Sequence, residues 1–580
     1  MYAVSQSTPH PPLCVPPSPQ GEGVFLCMDD FIYYLNIIAL GFFTLVVLLS
    51  LYRELRYGGI SPSTRRDYAP YWVMLIFAMA LVLRLWGFGL IPGGINQDGA
   101  MAAVDGKALA DYGTDRFGTK YPAHLYAWGF GQMSSLLSYL IAVFVRLFGL
   151  NTVTARLPQL ICSMLGGVCF YIFLRDGFGK RTGLIGALLM AICPWHFMQS
   201  RWALDCNLLP HFFIAGLCLL QKGLKGRRIW LYVSMVFFGL CMYCYGIALY
   251  TVSPFLLLLG LYLLIKKELR LSELLGCALV WLALSWPFIA TMAINYFKLE
   301  TISLPFVTLQ YFPGSIRSGD ILFFSDDIPG QLWENLKSFC DVVILQEKDL
   351  AWNDMTGFGT VYKFSMPLAL GGLFALLRRK NGRTLALAGL MTGIFAGLAT
   401  NGANINRVNL VFYFVLLLIA LGLELVFSRL RQAALPSLAI FLAAAVYMAG
   451  TYFGDYADSV KYYFYDGFGA AISAAEDSGA ERIYVTADAQ AEGYAHVSEI
   501  LTLFYADIDA EYFQGKSNIS GGESLLPYKE RYHYISMDEN SAAMAEEDAA
   551  FVIKASDGQY FPAEDFNVQY YGGYAAVYAK

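Results

Sequence analysis

Long apolar runs separated by short polar loops fill the first 450 residues. A helix needs about 20 apolar residues to cross a bilayer. Twelve segments approach or reach that length: 31–51, 71–90, 157–174, 183–198, 208–222, 229–246, 247–265, 273–291, 364–378, 384–400, 408–426 and 434–451. Beyond residue 451 the runs shorten and mix. That stretch predicts an amphipathic helix at about 458–478, a strand at Arg482–Thr486, a helix at about 491–505, and strands near Tyr532–Ile535, Phe551–Lys554 and Tyr570–Tyr578. The pattern is that of a polytopic α-helical membrane protein of about 12 spans with a small α/β domain at its C-terminal end (452–580). The Pro-rich residues 1–27 read as a disordered extension, with Met28 as a start.

Basic residues give the spans a direction. Arg53, Arg56, Arg65 and Arg66 stand in one loop; Arg175, Lys180 and Arg181 in another; then Lys222, Lys225, Arg227 and Arg228; Lys266, Lys267 and Arg270; Arg378, Arg379, Lys380 and Arg383; Arg429 and Arg431. The positive-inside rule makes these six loops cytoplasmic. Both termini and the loops 91–156, 199–207, 292–362 and 401–407 are then outside, and the C-terminal domain is extracytoplasmic. Gly131–Leu150 is apolar enough to span, but counting it would reverse every later loop. It is therefore read as a helix in the interface or packed on the bundle, with Arg146 among headgroups. Two long outside loops beside a tight bundle suggest a roofed cavity at that membrane surface.

Composition agrees with a membrane body: 57% of residues are hydrophobic and 15% charged, against roughly 45–50% and 25% in soluble domains. The net charge of −5 hides a split, because 22 acidic and seven basic residues lie from Asp455 onward. The first 454 residues are thus basic and the tail acidic, a distribution that suits cytoplasmic loop charge and excludes nucleic acid as a partner. The eleven cysteines are scattered through apolar runs and imply no disulfide framework. Cys241 and Cys244 read as buried structural thiols.

Three outside segments carry candidate chemistry. The first is Ile91-Pro-Gly-Gly-Ile-Asn-Gln-Asp98, directly after a span; its plainer reading makes Asp98 the N-cap of the helix that follows. Asp105, seven residues on, shares a helix face with Asp98; its plainer reading is solvated. The second is Ser200-Arg201-Trp-Ala-Leu-Asp205, in which one helical turn would pair Arg201 with Asp205. Charge between two spans is more often functional than not. The third is Asn401-Gly-Ala-Asn-Ile-Asn406-Arg407, an arginine among amides whose guanidinium suits phosphate or a lipid headgroup. His124, His196 and His211 lack metal-ligand spacing and read as structural. No Walker loop, GxSxG elbow or HExxH is present.

The order Ala155-Arg-Leu-Pro158, Gly179-Lys-Arg-Thr-Gly-Leu-Ile-Gly-Ala-Leu-Leu-Met-Ala-Ile-Cys-Pro194-Trp-His and Ser200-Arg-Trp-Ala-Leu-Asp205 resembles the GT-C glycosyltransferases. The nearest branches are bacterial relatives of protein O-mannosyltransferases and of the aminoarabinose transferases that modify lipid A. The resemblance is strong over about 70–290, extends to 451, and implies a GT-C domain at 71–451 preceded by an additional N-terminal span and cytoplasmic loop (28–70). It implies inverting transfer of a sugar from a polyprenyl-phosphate carrier to a hydroxyl acceptor (protein, glycolipid or wall polymer) at the outer face of the cell membrane. In the family a first-loop Asp, usually followed by Glu, is the catalytic base; the matching position is Asp98, and Gly99 stands where Glu is usual.

A hydroxyl nucleophile needs a base, and a carboxylate suits that task. A leaving lipid phosphate needs cationic stabilisation; Arg201 and Arg407 are the candidates, with Arg317 a weaker third. Asn406, Asp205 and Asp105 join them as candidate donor or substrate contacts. A divalent cation stays open as cofactor, since no Asp-x-Asp pair stands near Asp98. The alternative to an enzyme is a transporter or assembly scaffold for lipid-linked saccharides that uses the cavity without chemistry.

Overall fold

The computed structural model describes residues 28–57, 69–128, 132–313, 321–347, 349–355, 357–487, 495–506, 508–509, 528–544 and 549–580. Each of the twelve apolar runs folds as helix: Met28–Tyr57, Ala69–Leu85, Thr152–Phe178, Lys180–Ile192 with Pro194–Gln199, Leu209–Lys225, Ile229–Leu240, Ala248–Ile265, Leu271–Phe297, Met366–Arg378, Arg383–Ala399, Phe412–Arg429 and Ala434–Phe453. Six helical stretches, Phe31–Arg56, Thr152–Phe178, Ala248–Ile265, Leu271–Phe297, Ile405–Arg429 and Arg431–Ser459, are long and apolar enough to cross a membrane. The rest are shorter for local reasons. Pro194 lacks the amide that would continue the Lys180–Ile192 helix, so the helix restarts with Pro194 in its first turn. The run 229–246 ends early, in a 3-10 turn at Cys241–Tyr243. Cys241 and Cys244 are free thiols buried in that corner.

The segment 131–150 contains a separate helix, Leu136–Phe148, packed on helix Gln97–Tyr112. Its Arg146 is largely exposed and lies 3.7 Å from Asp111. At the end of the bundle where the basic clusters gather, Arg379 meets Glu424 at 2.5 Å, Arg429 pairs with Glu54 and Lys225 donates to the Asp176 carbonyl.

Helix Phe412–Arg429 is the axis of the fold. Its apolar stretch is 89% buried, so it sees protein rather than lipid. It crosses Met366–Arg378 at backbone distance: a Cβ on Gly372 would lie 1.8 Å from the Leu418 carbonyl oxygen, and one on Gly422 would lie 2.0 Å from that of Leu368.

The C-terminal residues form a five-stranded sheet. Arg482–Thr486 runs parallel to Tyr532–Ile535 on one side and to Ala549–Lys554 on the other; Tyr574–Ala579 pairs antiparallel with Ala549–Lys554, and Phe566–Tyr571 forms the edge. Helices Phe468–Asp477 and Ala495–Tyr505 accompany it. Two expectations change. The helix expected at 458–478 is broken into Asp455–Ser459, a 3-10 turn at Tyr462–Phe464 and Phe468–Asp477, because the backbone is left-handed at Tyr465 and Gly467. The single strand expected at Tyr570–Tyr578 is a hairpin whose two turn residues are Gly572 and Gly573, a pair suited to the positive φ of tight hairpin loops.

Candidate functional site

The turn Ile91–Asn96 leads from helix Ala69–Leu85 into helix Gln97–Tyr112. The N-cap is Asn96, not Asp98: the Asn96 side chain accepts the Asp98 amide at 3.0 Å. Asp98 therefore sits in the first turn, where the positive end of the helix dipole favours a carboxylate. The Trp128 indole N–H donates to its Oδ1 at 2.8 Å, which fixes how the carboxylate is turned.

Asp98 and Trp128 belong to the wall of a cavity of about 350 Å³ at the end of the bundle opposite the basic clusters. Five separate segments converge there: Asp98 and Met101; His124, Ala127, Trp128, Met133 and Ser134; Leu204, Asp205 and Cys206; the corner Tyr245–Ile247 with Tyr250; and Thr400, Asn404, Asn406 and Arg407, with Phe288 and Met292 behind them. The two long loops are tied to each other beside it. Strands Ile302–Leu304 and Val307–Leu309 form a hairpin, and Thr308 exchanges backbone bonds of 3.0 Å with Tyr121 and Ala123. Ile321, also in the cavity wall, bridges to Thr400. His124 lies against Phe288 with ring centroids 4.6 Å apart. Burial pushes its imidazole down to about 3, so it is neutral in the wall.

Asp205 opens a 3-10 turn, Asp205–Leu208, and its Oδ1 accepts the Cys206 amide at 2.7 Å. Arg407 donates to the Asn401 carbonyl, and the Asn404 side chain caps its helical turn by accepting the Arg407 amide at 3.0 Å. This corner is held from the 349–355 segment: Asp349 accepts the Ile405 amide at 2.5 Å and the Asn353 amide group at 2.9 Å, while Asn353 donates to Asn406 at 3.0 Å. Burial pushes the Asp349 and Asp354 carboxyls up to about 6.

The structure thus brings Asp98, Asp205, Asn406 and Arg407 to one cavity and leaves two candidates outside it. Arg201 is fully buried. Its Nη1 donates to the Leu83 and Arg84 carbonyls at 3.3 and 2.6 Å, its Nη2 to that of Ile91 at 3.2 Å and its Nε to the Tyr452 hydroxyl at 3.1 Å. No helical turn pairs it with Asp205, because the helix stops at Gln199. Asp105 is likewise fully buried rather than solvated. It accepts the Arg116 amide at 3.0 Å and the Arg116 guanidinium at 2.5 Å, and burial pushes its carboxyl up against the pull of Arg116. Arg317 lies outside the described residues. His196 and His211 both hydrogen-bond the Tyr413 hydroxyl, at 3.1 and 2.9 Å, inside the bundle. Among the described residues no group of three His, Cys, Asp or Glu is placed to hold a metal ion.

Sequence reasoning missed Trp128, His124 and the Tyr245–Tyr250 corner. Trp128, in the aromatic and glycine-rich stretch Tyr126-Ala-Trp-Gly-Phe-Gly, carried a usable signal. The Tyr245 corner, hidden between two apolar runs, carried none.

Residues 134–291 match the family model described as Dolichyl-phosphate-mannose-protein mannosyltransferase. The Bacillus subtilis protein YycA, named a mannosyltransferase on a provisional basis, is 25% identical over 181 residues, 31% of this chain. The chain spans about a quarter of the length of that relative, 25%. In structure the chain is similar to ArnT from Cupriavidus metallidurans, in its apo state with a TM-score of 0.52 and bound to undecaprenyl phosphate with one of 0.53. Each superposition covers 88% of this chain and 98% of ArnT, at 14% identity. A likeness at that identity is one of fold.

Proposed function

We propose that the chain is a membrane glycosyltransferase of the GT-C type, a reading its matching segment and its ArnT-like fold support, and that it moves a sugar from a polyprenyl-phosphate carrier to a hydroxyl acceptor with inversion at the anomeric carbon. The observation that carries this reading is Asp98, a carboxylate held by Trp128 in the wall of a cavity that also receives Arg407. The acceptor hydroxyl gives its proton to Asp98 as its oxygen attacks the anomeric carbon. The bond from that carbon to the phosphate oxygen breaks, and the pair leaves with the lipid phosphate. Arg407 faces the charge that grows there, a role for which a guanidinium fork is suited. Asn406 and Asp205 contact the sugar. A cation that joined the site would supply further charge to the leaving phosphate.

The topology belongs to the same reading. The chain makes about 12 passes of the cell membrane, its cavity and C-terminal domain face outward, and a lipid-borne donor meets its acceptor at the outer surface. Every segment in the cavity wall comes from a loop, or a helix end beside one, that the basic clusters put outside, which supports this orientation. The test is transfer by purified protein from a panel of undecaprenyl-phosphate hexoses and pentoses into membrane fractions, wild type beside Asp98→Asn. Wild type transfers one donor sugar and Asp98→Asn, folded to the same melting temperature, does not. Full activity in that variant removes Asp98 as base.

A further inference from the structure

Arg156 and Arg201 are fully buried, and among the described residues neither pairs with a carboxylate. Burying an unpaired cation costs several kcal/mol, so something other than stability accounts for them. Their hydrogen bonds point to one place. Arg201 Nη2 donates to the Ile91 carbonyl at 3.2 Å, and Arg156 Nη2 donates to the Gly94 carbonyl. Among the described residues the Gly94 bond is the one hydrogen bond of the Arg156 guanidinium, for its Nε and Nη1 have no partner. Two guanidiniums therefore grip two carbonyls three residues apart, at either end of one turn. On the far side of that turn the C-terminal segment closes in. A Cβ on Gly94 would lie 2.1 Å from the Phe464 carbonyl oxygen, and the Tyr465 hydroxyl donates to Gln97 at 2.6 Å. Two residues past Gly94 comes the cap, Asn96, and two past that comes Asp98.

We propose that Arg156 and Arg201 are positioning residues for Asp98. They act through the carbonyls of Gly94 and Ile91 to set the height and rotation of the first turn of helix Gln97–Tyr112, with the 464–465 turn as the opposing stop. The proposal deepens the reading of Asp98 as base and rests on it. It moves Arg201 from the leaving phosphate to the support of the carboxylate, and it gives the Ala155-Arg-Leu-Pro158 motif a task.

The experiment is a double-mutant cycle with undecaprenyl-phosphate mannose as donor, joined to hydrogen–deuterium exchange of the amides 94–100. Arg156→Ala lowers kcat about 100-fold, the scale of a misplacement near 1 Å, with donor KM within about threefold. Arg156→Lys, whose ammonium still reaches the Gly94 carbonyl, recovers at least a tenth of the wild-type rate. Asp98→Asn/Arg156→Ala is no slower than Asp98→Asn alone, because a carboxylate that is gone cannot be misplaced. Exchange at 94–100 speeds up in Arg156→Ala and less in Arg156→Lys. Multiplicative losses, a loss confined to KM, or unchanged exchange overturns the proposal. If Arg156→Ala does not fold, Arg156→Lys and Arg156→Gln take its place in the cycle. If Asp98→Asn keeps full activity, the base assignment falls, whereas the exchange data still report whether the two arginines hold the turn.

Discussion

Gly99 occupies the position at which the family usually has Glu, and the structure says what restoring that residue would do. A Cβ on residue 99 would lie 2.9 Å from the Ala203 carbonyl oxygen and 3.5 Å from both the Ala203 Cβ and the Ile95 side chain. Ordinary contact begins near 3.4 Å, so the helix and the 203 backbone must part by about 0.5 Å. The near atom is backbone and cannot swing aside. Overpacking of this kind costs about 1–3 kcal/mol, a few degrees at most in melting temperature for a chain this long. The larger effect falls on chemistry. Ala203 is followed by Leu204 and Asp205 in the cavity wall, and Asp98 precedes the substituted residue; parting the two backbones therefore moves both carboxylates. Gly99→Ala lowers kcat/KM roughly 10- to 100-fold, and Gly99→Glu, bulkier at the same buried point, lowers it at least as far. The assay is sugar transfer by detergent-purified protein alongside a thermal melt. Unchanged transfer and unchanged melting in Gly99→Glu would refute the steric argument and leave room for a second carboxylate in the family's usual place.

Trp128→Phe keeps the ring and removes the bond to Asp98; a hydrogen bond to a charged group is worth about 1.5–3 kcal/mol, so kcat falls about tenfold or more in steady-state transfer with little change in donor KM. Arg407→Ala weakens donor binding by about 1.5–3 kcal/mol, read as the affinity for undecaprenyl phosphate by titration; unchanged affinity makes Arg407 a loop strut instead. Asp349 and Asp354 have folded-state values raised to about 6 from 3.8, so the native state holds their protons where the unfolded chain has released them. Stability accordingly falls as pH rises from about 4 to 6 and levels off above about 7, by about 3 kcal/mol for Asp349 alone. Thermal melts across that range check the sign, and Asp349→Asn flattens the curve.

The run of apolar segments was enough to place the helices, since a length near 20 residues and a change of polarity are properties of contiguous sequence. The helix expected within 131–150 is present as Leu136–Phe148, packed on helix Gln97–Tyr112. Contiguity also explains the errors. Asp98 and Asn96 are both good caps, and which one serves depends on where the Ile91–Asn96 turn releases the chain, a matter settled by Arg156, Arg201 and Phe464 from far along the sequence. Arg201 looked like a phosphate ligand because three of its partners are main-chain carbonyls, which every residue has and no sequence displays, and the fourth, the Tyr452 hydroxyl, is 251 residues away. Asp105 looked solvated because its partner Arg116 is eleven residues away across a turn. The hairpin at 566–579 was legible in Gly572-Gly573 and was passed over in favour of a longer strand.

The crossing of helices Met366–Arg378 and Phe412–Arg429 has a mechanical consequence. Gly372 abuts one helix's carbonyl and Gly422 abuts the other's, a reciprocal notch in which a slip of one residue along either axis drives a side chain into main chain. The notch therefore holds the two helices in one register. The buried axis and its partner thus make one keel on which the rest of the bundle is laid.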